Sequence, residues 1–267
     1  MTEVEAPARG TRPKGAQTEA DASRKVREMF TQIAPRYDLL NHLLSLQLDR
    51  VWRARVAQRL RPILDRPDAV VLDLCCGTGD LAFSLARASR ARVIGADFSH
   101  AMLVRAREKS RSLALSTNKN AVVPMPLFEA DALRLPFASE SFDLVAAAFG
   151  FRNLANYAAG LAEIHRILKP GGTVAILECT EPPGTFVGSL YRWYFRQILP
   201  RIGGLISKNR SAYTYLPESV SRFFRPDELA SLIRSAGFEF VEYQVWTLGT
   251  VALHTGVRSV RSANHTR

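Results

Sequence analysis

Apolar and polar positions change their period repeatedly along the chain, and each change marks an element. Leu, Val and Trp recur every three to four positions over residues 39–60, which predicts a helix, and residues 23–30 predict another. Residues 69–74 form a short β-branched run, followed at once by a glycine-rich turn and a helical stretch over 81–88. A second strand over 91–97 precedes a helix over 99–110. Residues 126–130 predict a third strand, 142–147 a fourth, and 157–168 a helix. Lys169, Pro170, Gly171 and Gly172 read as a turn that feeds a fifth strand over 173–179. A last helix over 226–236 and two strands, 238–246 and 250–256, complete the pattern.

Strands alternating with helices imply an α/β fold whose sheet is mostly parallel, with right-handed crossovers. No internal repeat interrupts it. The expected organisation is a disordered tail over 1–22, one domain over 23–258 and a flexible tail over 259–267. Within the domain, 23–65 would form a helical cover and 184–222 an insert that breaks the alternation.

Composition narrows the class. A chain of 267 residues, 47% hydrophobic, can bury a sizeable core. No uninterrupted apolar run approaches the about 18 residues a spanning helix needs, and the polar N-terminus lacks an apolar signal core. Cys75, Cys76 and Cys179 form no CxxC pair, so neither a disulfide framework nor a zinc site is expected, and cytoplasm is the default compartment. The net charge of +11 matters through its distribution. Residues 184–210 hold five basic residues (Arg192, Arg196, Arg201, Lys208, Arg210) and no acid, alternating with bulky groups such as Tyr191, Trp193 and Phe195. That mixture suits a peripheral contact with the inner face of a membrane better than a nucleic-acid groove, with a solvated basic surface as the plainer alternative.

The candidate chemistry begins at the turn Asp73-Leu74-Cys75-Cys76-Gly77-Thr78-Gly79-Asp80. Glycines between a strand and a helix let a ligand approach the backbone closely. Gly77, Gly79 and the following Ala82 also fit the loose dinucleotide fingerprint, so the turn alone does not choose a cofactor. Asp73 at the strand end tips the balance, because a carboxylate repels a pyrophosphate but welcomes the ammonium and sulfonium of S-adenosylmethionine. Asp97 ends the second strand 18 positions after Gly79, the spacing at which an acid accepts from ribose hydroxyls. Asp131 and Ala132, after the third strand, offer a carboxylate and a backbone N–H to an adenine; an ordinary capped loop is the alternative.

These elements, in this order, resemble the class I S-adenosylmethionine methyltransferases. Residues 37–52 (YDLLNHLLSLQLDRVW) and 166–182 (RILKPGGTVAILECTEP), with FGFRN over 149–153 and SAYTYLPESVSRFF over 211–224, resemble the signatures of the menaquinone/ubiquinone biosynthesis C-methyltransferase family. The likeness runs from about Lys25 to Val257. It implies a Rossmann-like, seven-stranded, mostly parallel sheet with helices on both faces and an N-terminal helical cover. It also implies S-adenosyl-L-methionine as cosubstrate, no metal, and methylation of a prenylated quinol: demethylmenaquinol first, a polyprenyl benzoquinol or another small hydrophobic acceptor as alternatives. Thr78 would contact the cofactor, Asp97 its ribose, and Asp131 and Ala132 its adenine. Four positions depart from the family. Asp49 stands where histidine is frequent and Ala148 where serine is frequent, while Cys75 and Cys76 replace small residues and are expected to pack as such.

Methylating a quinol carbon needs a group that stabilises the ring oxyanion, a proton path and exclusion of water. Arg152 and Asn153 follow the fourth strand at its carboxyl end, where open α/β sheets hold ligands, and are the expected catalytic pair, with Tyr37 closing the site as donor or relay. His42 and His165 sit in helical patterns without metal partners, and His254 would stand behind the site at most. Phe186, Trp193, Phe195, Tyr213 and Tyr215 of the insert would line the quinol pocket. Three competing readings remain: a methyltransferase of another small molecule, an RNA methyltransferase, and a non-catalytic cofactor-binding protein. No nucleic-acid partner is expected, and a homo-oligomer stays open.

Overall fold

The structure is a computed structural model, and it describes residues 9–116, 125–182 and 210–260. Seven strands form one sheet: β1 (Val70–Leu74), β2 (Arg92–Asp97), β3 (Leu127–Glu129), β4 (Phe142–Ala148), β5 (Leu168–Cys179), β6 (Phe238–Trp246) and β7 (Val251–Arg258). Their order is β3-β2-β1-β4-β5-β7-β6. β1 to β5 pair in parallel, whereas β7 runs antiparallel to both neighbours, β5 and β6.

The sequence explains the layers. Strands covered on both faces read as continuous apolar runs, and Val71, Leu72 and Leu74 of β1 are all buried. Because strand side chains alternate, neighbours feed two different cores. Leu72, Val145 and Ile176 pack with Leu161 and Ile164 of α7 (Tyr157–Ile167) and with Phe223. Val71, Leu144 and Ala175 pack on the other face with Trp52 and Val56 of α3 (Leu48–Arg59) and Leu81 and Leu85 of α5 (Asp80–Arg87).

Four expectations need adjustment. The helix expected over 39–60 is broken into α2 (Tyr37–Leu44) and α3, because Leu46 and Gln47 take left-handed backbone with φ of 52° and 65°. The break folds α2 back so that His42 Nδ1 and Ser45 Oγ reach Asp49, at 2.7 and 2.6 Å. The turn at 169–172 is absorbed into β5, whose pairing with β4 skips between Phe142 and Leu144 to accommodate it. The tail expected to be disordered is packed from residue 9: Thr11 N donates to Leu154 O at 2.8 Å, and Tyr157 N donates to Arg9 O at 3.0 Å. Its composition is that of a loose segment, but backbone pairing does not depend on side-chain composition. Helix α1 (Glu19–Ile33) follows, longer than the 23–30 expected, with Thr18 Oγ1 accepting from Asp21 N at its start.

Sheet order reverses direction between β1 and β4, and the crevice beyond their carboxyl ends is where such sheets bind ligands. The insert expected over 184–222 lies outside the described residues up to 209, together with Phe186, Trp193 and Phe195. Its last part is a helix, α8 (Arg210–Arg222), followed by α9 (Pro226–Ser235). Among the described residues, no helix is long and apolar enough to cross a membrane.

Candidate active site

A cleft with about 660 Å³ of empty space, its open mouth included, lies at that crevice. Its lining includes Gly77 and Asp97, Asp131 and Ala132 with apolar Phe98, Met102 and Leu133, and Tyr37, Phe149 and Asn153. Six of the ten expected site residues therefore meet in one cavity.

The glycine turn takes its shape from left-handed backbone at Cys75, Gly77 and Gly79, with φ of 56°, 55° and 85°. Gly79 begins α5, and a Cβ there would fall 2.8 Å from the Phe83 ring. Gly77 leaves the open side of the turn facing Tyr37, whose Cε1 lies 3.9 Å from where a Cβ would stand. Cys76 is buried as a small apolar group, whereas Cys75, a non-glycine residue in strained backbone, forms part of the cleft wall.

Asp97 anchors the loop. Its Oδ2 accepts from Gly77 N at 2.9 Å and its Oδ1 from Ser99 N at 2.8 Å. Burial pushes its pKa up to about 6, with those backbone donors opposing the rise. Asp131 Oδ1 accepts from Leu133 N at 2.9 Å, a turn-capping bond, and the residue lines the cleft.

Asp73 and Thr78 are not brought to the wall. Strand alternation sends Asp73 to the same face as Val71, behind the loop, while Leu74 takes the cleft side. Asp73 is 1% exposed, and neither carboxylate oxygen has a hydrogen-bond partner among the described residues. Burial raises its pKa well above the ordinary carboxylate value. Thr78 turns away as well: its hydroxyl donates to Asp38 Oδ1 at 2.5 Å and accepts from Lys109 Nζ at 3.2 Å. Lys109, on α6 (His100–Ser116), also reaches Asp38 at 2.7 Å and Asp80 at 2.6 Å. The loop is thereby latched to the helical cover.

Asp49 has a clear occupation in place of the family's histidine. It accepts from His42, Ser45 and Arg53, and Arg53 also reaches Asp80 at 3.2 Å. Burial opposes its charge, but Ser45 and the Arg53 guanidinium hold its pKa below the ordinary value. His42, Asp49 and Asp80 cluster together, and the guanidinium of Arg53 pairs with the two carboxylates. His254 lies elsewhere, on β7, bonded to Pro226 O at 2.8 Å.

Arg152 stands one layer behind the wall, in the short turn Phe151–Asn153 after β4. Its Nη1 donates to Glu178 Oε2 at 2.8 Å, and its backbone N to Glu178 Oε1 at 3.0 Å. Burial works against the guanidinium charge, and the Glu178 carboxylate outweighs it, so the Arg152 pKa is raised further. Its Nε is buried without a partner among the described residues. Tyr37, half-buried and edge-on to Phe30, has its pKa raised by desolvation, while a hydrogen bond with Asn41 and the Arg152 charge favour its ionised form. Glu178 carries no expected role in the sequence. The available signal was a lone carboxylate inside an otherwise apolar strand, which requires a buried partner.

Comparison with known proteins decides the lineage. The chain matches the ubiE/COQ5 methyltransferase family over residues 17–258. It belongs to that family. A demethylmenaquinone methyltransferase of Thermus thermophilus is 47% identical over 231 residues, covering 86% of this chain and 100% of the relative. A ubiquinone/menaquinone biosynthesis C-methyltransferase of Dinoroseobacter shibae is 38% identical over 239 residues, covering 89% of this chain and 92% of the relative. Among solved structures, a Thermotoga maritima S-adenosylmethionine-dependent methyltransferase superposes with a TM-score of 0.60 at 19% identity, over 87% of this chain and 99% of that one. At that identity the likeness speaks for the fold alone. The signature stretches noted in the sequence fall on α2, which brings Tyr37 to the cleft, on the Phe149–Asn153 corner, which lines it, and on β5, whose Glu178 holds that corner.

Proposed function

We propose that this chain transfers a methyl group from S-adenosyl-L-methionine to a ring carbon of a prenylated quinol, with demethylmenaquinol as the acceptor. The observation that carries this reading is a single cleft that gathers an acid-and-glycine pair, Asp97 and Gly77, with the aromatic and amide side chains of Tyr37, Phe149 and Asn153. The name of the Thermus relative supports the naphthoquinol ring. A second reading, a benzoquinol acceptor, is favoured by the name of the Dinoroseobacter relative, which covers both quinones.

The residues fit the methyl donor. Asp97 is a buried acid at a strand end beside a left-handed glycine turn, suited to ribose hydroxyls. Asp131 and Ala132, next to apolar Phe98 and Met102, suit an adenine. The donor, when bound, supplies an electrophilic sulfonium methyl. Asp73, Thr78 and Gly79 support this end by shaping the loop, not by touching the ligand.

At the acceptor end, Asn153 holds a quinol oxygen, and Arg152 behind it stabilises negative charge as the ring hydroxyl gives up its proton. Tyr37 closes the site and excludes water. The ring carbon gains the methyl as the sulfur–carbon bond breaks, then sheds its own hydrogen to restore aromaticity; one methyl enters and one proton leaves overall. Orientation of the two reactants alone supplies about 7–11 kcal/mol in favourable cases. An acceptor with a bilayer-soluble tail also calls for peripheral membrane docking, which the basic, aromatic 184–210 segment suits. Sedimentation with anionic vesicles tests that part, and absence of binding in the presence of quinone counts against it. The test of the main reading offers reduced demethylmenaquinone and the benzoquinol analogue separately; methylation of neither refutes it.

A further inference from the structure

Asn153 lines the cleft, and two partners agree on how its amide is turned. Its Nδ2 donates to Phe149 O at 3.4 Å, and its Oδ1 accepts from the Tyr215 hydroxyl at 3.0 Å. Rotating the amide by half a turn would set Oδ1 against the Phe149 carbonyl, an acceptor facing an acceptor. Tyr215 therefore spends its only hydrogen on Asn153. The Thr11 hydroxyl, 2.7 Å from the Tyr215 oxygen, must then be the donor of that pair. The result is a one-way chain: Thr11 donates to Tyr215, which donates to Asn153, leaving one Nδ2 hydrogen for the cleft.

Thr11 is not held loosely. The strap around it lies on the 154–157 segment through the two backbone bonds at Thr11 and Tyr157, and Arg12 Nη1 adds a bond to Ala155 O at 2.7 Å. The Arg9 guanidinium sits 3.8 Å over the Phe224 ring. Gly10 is required by the closeness of this contact, since a Cβ there would lie 1.8 Å from Ala155 O.

We propose that Thr11 and Tyr215 are positioning residues for methyl transfer: the N-terminal strap and α8 together fix Asn153 with its donor end toward the acceptor's ring oxygen. This rests on the proposed role of Asn153 at the quinol. The chain polarises in the direction that favours donation to a developing oxyanion, and cooperative hydrogen bonding strengthens the terminal donor. A carbonyl end facing the same oxygen would repel it.

The test uses the full chain with S-adenosylmethionine and a short-prenyl demethylmenaquinol kept reduced by dithionite. Thr11→Val and Tyr215→Phe should each lower kcat about tenfold, the effect of one misdirected hydrogen bond in a transition state. The Kd for S-adenosylhomocysteine and the melting temperature should stay near wild type. Thr11→Ser, which keeps the hydroxyl, should restore kcat, and adding Thr11→Val to Tyr215→Phe should lower it no further. Gly10→Ala, which lifts the strap, should reproduce Thr11→Val. The inference is overturned if Thr11→Val and Tyr215→Phe keep kcat while Asn153→Ala loses it, or if Thr11→Ser fails to rescue. Full activity of Asn153→Ala would overturn the proposed role of Asn153 as well, so the two failures are distinguishable.

Discussion

Arg152 and Glu178 form an ion pair inside the protein, 2.8 Å apart between Nη1 and Oε2, with Glu178 fully buried and Arg152 nearly so. Glu178 also accepts from the Arg152 backbone N and from Cys179 N, so one carboxylate holds the corner after β4 to the end of β5. The pair places a permanent cation next to the cleft without exposing it.

That arrangement predicts an asymmetric response to mutation. Glu178→Ala leaves an unpaired buried guanidinium and should reduce unfolding free energy by about 3–5 kcal/mol. Arg152→Met with Glu178→Leu removes both charges and should recover most of that stability in urea titrations while methyl transfer stays lost. Arg152→Ala alone should retain cofactor binding by calorimetry as turnover falls by orders of magnitude. Equal loss of cofactor binding in Arg152→Ala would place the residue at the wrong end of the cleft.

Asp97 predicts a pH dependence for cofactor affinity. Its pKa in the free protein is about 6, and hydroxyls donating to the carboxylate would lower it in the complex. Binding is then full above that value and weakens as pH falls through about 6, because the proton must leave before the ligand is accepted. For folding the sign is the reverse: a raised carboxylate pKa penalises the ionised form, so this group favours the native state below the unfolded value, and that advantage is lost as pH rises through about 6. Asp97→Asn should weaken S-adenosylhomocysteine binding by about 1.5–3 kcal/mol, the size of a hydrogen bond to a charged group, and flatten the pH profile. A profile unchanged in the variant would assign the titration to another group.

The latch of Asp38, Thr78 and Lys109 ties the glycine loop to helix α2. Lys109 and Asp38 remain partly exposed, so Lys109→Met should cost about 1 kcal/mol of stability or less. Its larger effect should be kinetic: in stopped-flow traces, S-adenosylhomocysteine should leave several times faster when α2 is no longer held down. Unchanged release would mean that the cover does not move with the loop.

The layered fold was legible because buried strands and amphipathic helices impose different periods, and the 69–74 and 142–147 runs could hardly be anything else. Gly77, Asp97, Asp131 and Asn153 were legible because strand ends in such sheets converge on one crevice. Asp73 was legible as an acid at the end of β1, but its placement is set by strand parity, which puts it on the face of Val71 while Leu74 lines the cleft. Thr78, Glu178 and Thr11 depend on partners 40, 26 and 204 positions away in sequence, which no local pattern reveals. The break between α2 and α3 is of the same kind, set by what His42 and Ser45 reach at Asp49.

The central claim is that one cleft holds a sulfonium methyl donor against a quinol ring. Purified protein given S-adenosylmethionine labelled on its methyl group, together with reduced demethylmenaquinone, should yield a quinone carrying the label on a ring carbon, with one equivalent of S-adenosylhomocysteine formed per product. Absence of labelled quinone, combined with no detectable binding of either form of the cosubstrate at millimolar concentration, would contradict the account.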